Sequence, residues 1–274
     1  MAGKLRETLG INEITSKKTS IWKTLIAEFV GNLLLNFFGC ASCVSVIGIP
    51  IPDLVLIALT FGFTIFIVVQ ALGHVSGAHI NPAITVGMMV TQNTSIIKGI
   101  LYIIVQCLGA LAGSGILRAA TPEKFHAAGL GVTKLTDPVT PAQGLLIEFM
   151  LGFVLVLVVF GVCDPNRHEA KPAGALAIGI AVAVGHLATV DYTGSSMNPA
   201  RSFGSAVVAN IWDDHWVYWI GPILGGIAAG LLYKYVFTAP STGPLKIIER
   251  YTAVVTDEKE LKRLDGSKHD INLS

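Results

Sequence analysis

Long apolar runs separated by short polar stretches set the pattern of this chain. Six runs are close to the length that carries a helix across the hydrocarbon core of a bilayer: roughly Trp22–Val46, Leu54–Leu72, Lys98–Ala119, Ala142–Cys163, Ala173–Ala188 and Trp216–Phe237. Two further apolar pieces, about Pro82–Val90 and Pro199–Ala209, are only half as long. At 1.5 Å per residue each makes about 15 Å of helix, enough to enter a membrane but not to leave by the far side. Both begin with the same tripeptide, Asn81-Pro82-Ala83 and Asn198-Pro199-Ala200. Asn is a favoured N-cap and Pro a favoured first helical residue, so each copy predicts a helix starting at mid-depth.

The two tripeptides lie 117 residues apart (81 and 198), and the rest of the chain repeats around them. Val75-Ser76-Gly77-Ala78-His79-Ile80 leads into the first and Tyr192-Thr193-Gly194-Ser195-Ser196-Met197 into the second, with Gly87 and Gly204 at matching distances after them. Ala27-Glu28-Phe29 has its counterpart in Ile147-Glu148-Phe149, and Tyr102 with Leu108-Gly109 in Tyr218 with Leu224-Gly225. Each half holds three spans. An odd number makes the second half enter from the opposite face, which gives an inverted repeat. The half-helices then meet N-terminus to N-terminus near the midplane. Irregular backbone at that depth is tolerated only where protein buries it or it lines a watery cavity, and this favours a pore. The fold class expected is an all-α membrane protein of six transmembrane helices plus two re-entrant half-helices. Residues 1–21 form an N-terminal segment, 22–238 the channel domain (repeats about 22–119 and 142–238) and 239–274 a polar C-terminal tail.

Composition sharpens this picture. Charged residues make up 14% of the 274 and hydrophobic ones 52%, against about 25% charged in soluble domains; the mean hydropathy is +0.65. A formal net charge of +1 leaves no footprint for nucleic acid. The first twenty residues lack the apolar core of a signal peptide, so the first span is expected to stay in the mature protein. Lys4, Arg6, Lys17, Lys18 and Lys23 precede or open that span, and Lys246, Arg250, Lys259, Lys262, Arg263 and Lys268 follow the last. Basic residues gather on the cytoplasmic side, so both termini are expected there, and the loop from Arg118 to Pro141 outside. Cys40, Cys43, Cys107 and Cys163 lie in or beside apolar runs and read as buried packing thiols. Cys40-x-x-Cys43 has no second pair, and His74 and His79 lack the i, i+4 spacing with a glutamate that marks a zinc helix. No metal, cofactor or enzymatic constellation is expected.

The chemistry concentrates around the tripeptides. A helix N-terminus carries about half a positive elementary charge, so two of them facing one point repel cations. The amides of Asn81 and Asn198 can donate to one passing water, turning both its hydrogens outward and breaking the chain along which a proton would hop. Arg201 stands in a mostly apolar stretch, where a buried guanidinium costs at least ~2.5–3.5 kcal/mol and so needs a cavity or a partner. Glu28 and Glu148 are ionisable groups within apolar spans, and such groups face inward and pair; both are expected to brace the re-entrant loops.

Taken together, the paired Asn-Pro-Ala motifs, Ser76-Gly77-Ala78-His79, Arg201 after the second motif, and Glu28 with Glu148 resemble the aquaporin (major intrinsic protein) family. The resemblance covers about Trp22 to Phe237, and Asp191-Tyr192-Thr193-Gly194 with Asn198 to Ala206 is similar to its water-selective animal branch. In such pores the positive ends of half-helices are already recognised as a barrier to cations. The resemblance implies a selectivity filter of Phe61, His186, Ser195 and Arg201, and backbone carbonyls of Gly77, Ala78, His79, Gly194, Ser195 and Ser196 lining the water file. It also implies a homotetramer in the lipid bilayer, with the plasma membrane as its place. Many relatives carry Cys where this chain has Ser195. Glycerol-conducting relatives usually have Gly in place of His186 and Asp in place of Ser202, while Tyr218-Trp219 resembles the aromatic pair of water-selective members. The expected function is passive, osmotically driven water transport that excludes protons and ions. A glycerol or small-solute channel of the same family is the nearest alternative. A coupled secondary transporter also suits inverted repeats, but its flux would saturate and depend on an ion.

Overall fold

The computed structural model describes residues 8–10, 21–45 and 53–241. The basic residues before Trp22, the expected end of the first span at Val46 and the tail beyond Ser241 lie outside the described residues. One compact unit ends at Phe237 and a second comprises Thr238–Ser274; the first holds everything discussed below.

From Ile21 on, the described residues of the unit hold eight α-helices: α1 Ile21–Ala41, α2 Leu54–Ser76, α3 Pro82–Val90, α4 Ile96–Ala120, α5 Pro141–Cys163, α6 Gly174–Thr193, α7 Pro199–Ala209 and α8 Val217–Leu232, the last continuing as a π-helical turn over Tyr233–Phe237. Six are long and apolar enough to cross a membrane; α3 and α7 are the two half-length helices. No strand occurs among the described residues.

Local chemistry explains the boundaries. Asp53 caps α2 by accepting from the backbone N–H groups of Val55 and Leu56. Thr140 and Gln143 form a reciprocal capping box at α5, with Pro141 in the first turn. Gly77 and Gly194 end α2 and α6 in the left-handed region, at φ 93° and 75°, where a Cβ would be strained. Three ends depart from the apolar runs, α2 among them, which runs past Leu72 to Ser76. The first helix stops at Ala41, where Ser42 Oγ donates to the Gly39 carbonyl and the chain turns. The sixth passes the expected end at Ala188 and reaches Thr193, because helical hydrogen bonds continue through Thr189 and Asp191 after hydropathy has fallen.

Small residues let the long helices meet backbone to backbone, as in other membrane bundles. Gly109 of α4 lies against the Phe29 carbonyl of α1, and its repeat partner Gly225 of α8 against the Phe149 carbonyl of α5. Where α2 crosses α6, Gly62 and Gly179 face one another so closely that a Cβ on either would come within 2.6–2.7 Å of the other's carbonyl oxygen. The half-helices dock on the opposite repeat: α3 lies on α8, with Gly87 against the Gly226 carbonyl, and α7 on α4, with Gly204 against Ala110. Each half-site is therefore held by both halves of the chain.

A candidate pore and its filter

The two loops that lead into α3 and α7 have matching backbones. Gly77, Ala78 and Ile80 stand at φ 93°, 46° and 52°, and Gly194, Ser195 and Met197 at φ 75°, 48° and 56°. Four of these six are not glycine, so the left-handed turns are strained and must be held from outside. Glu28 and Glu148 hold them. Oε1 of Glu28 accepts from Ser76 Oγ (2.7 Å) and the His79 N–H (2.9 Å), and Oε2 from the Ile80 N–H (2.6 Å) and Gln106 Nε2 (2.9 Å). Oε1 of Glu148 accepts from Thr193 Oγ1 (2.7 Å) and the Ser196 N–H (2.9 Å), and Oε2 from the Met197 N–H (3.0 Å). Both carboxylates are wholly buried, and this saturation by donors is what a buried charge requires. Tyr102 and Tyr218 add matching clamps, their hydroxyls donating to the Ser76 and Thr193 carbonyls.

At the meeting point each asparagine caps its own helix. Asn81 Oδ1 accepts from the Ala83 N–H, and Asn198 Oδ1 from those of Ala200 and Arg201. The amide nitrogens then cross the repeat boundary: Asn81 Nδ2 donates to the Met197 carbonyl (2.8 Å) and Asn198 Nδ2 to the Ile80 carbonyl (2.7 Å). These cross-bonds escape sequence reasoning, which leaves both amides free for water. One amide hydrogen of each is used to tie the half-sites together, and one remains for the passage. Pro82, Ala83, Pro199 and Ala200 are buried in the first turns behind them.

Three of the four expected filter residues converge. Phe61 and His186 stack with ring centroids 4.3 Å apart, and the Arg201 guanidinium carbon lies 4.9 Å from the Phe61 centroid, within cation–π range. His186 Nδ1 bonds the Val182 carbonyl at 2.9 Å. A carbonyl can only accept, so that nitrogen carries the hydrogen, and Nε2 is left buried without a partner. Arg201 Nη1 donates to the Gly131 carbonyl at 2.7 Å, while its Nε also has no partner. Among the described residues no carboxylate pairs with Arg201. Its burial is offset by that carbonyl, by the Phe61 face and by the cavity it borders. Ser195 is fully buried with its Oγ unpartnered.

A cavity of about 370 Å³ runs through these groups. Phe61, His186 and Arg201 line it, as do Asn81 and Asn198 with Gly77, Ala78, His79, Ser196 and Met197, and the rest of the wall is mostly apolar, including Ile65, Ile84 and Ile178, with Gln70 and Lys171 as its polar members. Ser195 and Gly194 are not in its wall. Cys163 and Lys171 do line it, and Cys163 is exposed while Cys43 and Cys107 are half-buried. Of the four thiols only Cys40 is the buried packing group expected of all of them.

The profile of the major intrinsic protein family matches residues 15–233. The chain belongs to that family. It is 49% identical over 221 residues to aquaporin-4 of Mus musculus, covering 80% of this chain and 68% of that protein. It is 44% identical over 219 residues to aquaporin-2 of Bos taurus, covering 80% of each. Aquaporin FA-CHIP of Pelophylax lessonae is 40% identical over 261 residues, covering 91% of this chain and 94% of the frog protein. This identity places the chain in the water-selective branch. The fold is shared with an aquaglyceroporin of Plasmodium falciparum solved by X-ray methods, with a TM-score of 0.71 at 22% identity, covering 80% of this chain and 97% of that one.

Within this aquaporin framework Tyr218 and Trp219 act as supports. The Tyr218 hydroxyl holds the second loop, and Trp219 Nε1 donates to His215 Nε2 at 3.1 Å. Burial holds His215 below the usual imidazole range, in keeping with an acceptor nitrogen there.

Proposed function

We propose that the pore conducts water in single file under an osmotic gradient and excludes protons, ions and glycerol. The observation that carries this reading is the packing of Phe61 against both His186 and Arg201 in the wall of the cavity. His186 Nε2 supplies a free acceptor there and the guanidinium free donors, so a water can be bonded on both sides. Glycerol needs more room and an apolar wall for its carbons. Beyond the filter the wall is mostly apolar, so water depends chiefly on the loop carbonyls and the two asparagine amides. The amides and the facing N-termini of α3 and α7 orient it and oppose cations. The protein is an integral, multi-pass membrane protein; we place it in the plasma membrane as a homotetramer, with its termini in the cytoplasm and the 121–138 loop outside.

Stopped-flow light scattering of proteoliposomes tests the reading. Shrinkage in sucrose is expected to be fast, to rise linearly with the gradient and to need no ion. Re-swelling in glycerol is expected to match that of empty liposomes. Glycerol re-swelling as fast as that given by a glycerol channel would sink the selectivity reading and favour the small-solute alternative.

A further inference from the structure

The loop between α4 and α5 is bound to the filter at several points. Gly129, Leu130 and Gly131 occupy the left-handed region in succession, at φ 85°, 49° and 75°. This turn presses the backbone of Gly131 onto α1, where an added Cβ would lie 2.8 Å from Cys40 Cβ. The Gly131 carbonyl then accepts from Arg201 Nη1 at 2.7 Å, and Cys40 Sγ lies 3.8 Å from the same oxygen. Two residues on, Thr133 is buried, and its Oγ1 donates to Ser202 Oγ at 2.7 Å. Ser202 Oγ lies 2.6 Å from Ser196 Oγ, which donates to the Asn198 carbonyl at 3.1 Å.

The acceptor at its end fixes the direction of this hydroxyl chain. The Asn198 carbonyl only accepts, so the Ser196 hydrogen points to it. Ser202 must then donate to Ser196, and Thr133 to Ser202. The chain runs one way, from the loop through Ser202 into the residue just before the second motif, and every member is buried.

We propose that residues 129–133 form a strap that determines solute exclusion, with Thr133 as a positioning residue acting on the filter through Ser202 and Ser196. The Gly131 carbonyl sets where the guanidinium sits, and the Thr133 hydroxyl sets where the loop before Asn198 sits. Thr133 itself is not in the wall of the cavity. The inference rests on the water-channel reading and deepens it: Ser202, next to Arg201, is where the strap is received.

The experiment measures water, urea and glycerol permeability of proteoliposomes for Thr133→Val, Thr133→Ser and Ser202→Ala. Thr133→Val keeps the shape and removes the donor. It should admit urea and glycerol several-fold faster than the unmutated protein, with water flux nearly unchanged; that retained flux also reports a folded pore. Thr133→Ser restores the hydroxyl and should restore exclusion. Ser202→Ala breaks the same chain from its other side and should leak as much as Thr133→Val, and the double variant no more than either alone. Unchanged exclusion in both Thr133→Val and Ser202→Ala, or leaks that add in the double variant, would overturn the strap. Absence of water flux in the unmutated protein would instead overturn the reading on which the strap rests.

Discussion

The first and second re-entrant sites share a scaffold and differ in nearly every residue that meets the passage. Glu28 and Glu148, Tyr102 and Tyr218, and Asn81 and Asn198 occupy equivalent places and make equivalent bonds. At the same 117-residue offset, Arg201 corresponds to Ile84, His186 to Val69, Ile178 to Phe61 and Ser195 to Ala78. The polar members Arg201 and His186 border the cavity at one end, and their counterparts Ile84 and Val69 line it as apolar wall. The repeat thus builds a passage, and we propose that the positions where the repeat has diverged make it selective. The braces differ too. Gln106 donates to Glu28 and to Thr85 Oγ1, whereas Pro222 stands at the matching sequence position of the second half and has no side-chain donor. The second site relies instead on the hydroxyls of Ser196, Ser202 and Thr133.

Damage to the shared scaffold should have the largest effect, and it should be unequal. A glutamine at position 28 turns an amide nitrogen toward two donors whichever way it is flipped. At 148 one flip faces only the Met197 N–H. Hydrogen bonds to a charged group are worth about 1.5–3 kcal/mol each. Glu28→Gln should therefore cost about 3–6 kcal/mol and Glu148→Gln about half as much. Thermal denaturation of the purified proteins in detergent reads the difference, and equal losses would show that the count of donors does not govern the brace.

Next in size is removal of the diverged residues. Combining His186→Ala with Arg201→Val should raise glycerol and urea permeability at least about tenfold, equivalent to ~1.4 kcal/mol of barrier. The matched changes in the other half, Val69→Ala with Ile84→Val, should leave exclusion intact. A leak of similar size from both pairs in the proteoliposome assay would mean that selectivity is spread along the whole passage.

The smallest effect separates the two ends by thiol chemistry. The unmutated protein should lose only part of its water flux to mercuric ion, through Cys163 in the cavity wall, and Cys163→Ser should abolish that loss. Ser195→Cys, buried in the loop before Asn198 and outside the wall, should add a slow block by disturbing that loop, reversed by a thiol reductant. Full inhibition of the unmutated protein that survives Cys163→Ser would point to Cys40 or Cys43 near the strap.

Much of this architecture was legible in the chain. Apolar length marked the six spans, because a bilayer accepts only helices that satisfy their own backbone. The Asn-Pro pair marked both half-helices to the residue, since a cap and a proline act within one turn. Helix ends inside polar stretches were less legible, as at Thr193, because hydropathy falls before hydrogen bonding does. Of the filter, Phe61, His186 and Arg201 do meet around one cavity. Ser195 is buried in the loop before Asn198 and does not line that cavity, whereas Cys163, read as a packing thiol, does.

By itself, then, the sequence determined the spans, the half-helices, their inverted relation and the buried carboxylates that brace them, because each follows from local composition or from an odd number of crossings. Only the tertiary structure decided that each half-helix docks on the opposite repeat, and that each asparagine spends one amide hydrogen on the other site. It alone decided that Glu28 has four donors and Glu148 three, and that Gly131 holds Arg201 from a loop 70 residues away. These contacts join backbone and side-chain atoms that are far apart in sequence. No local pattern of polarity encodes which carbonyl will face which donor once the helices have packed.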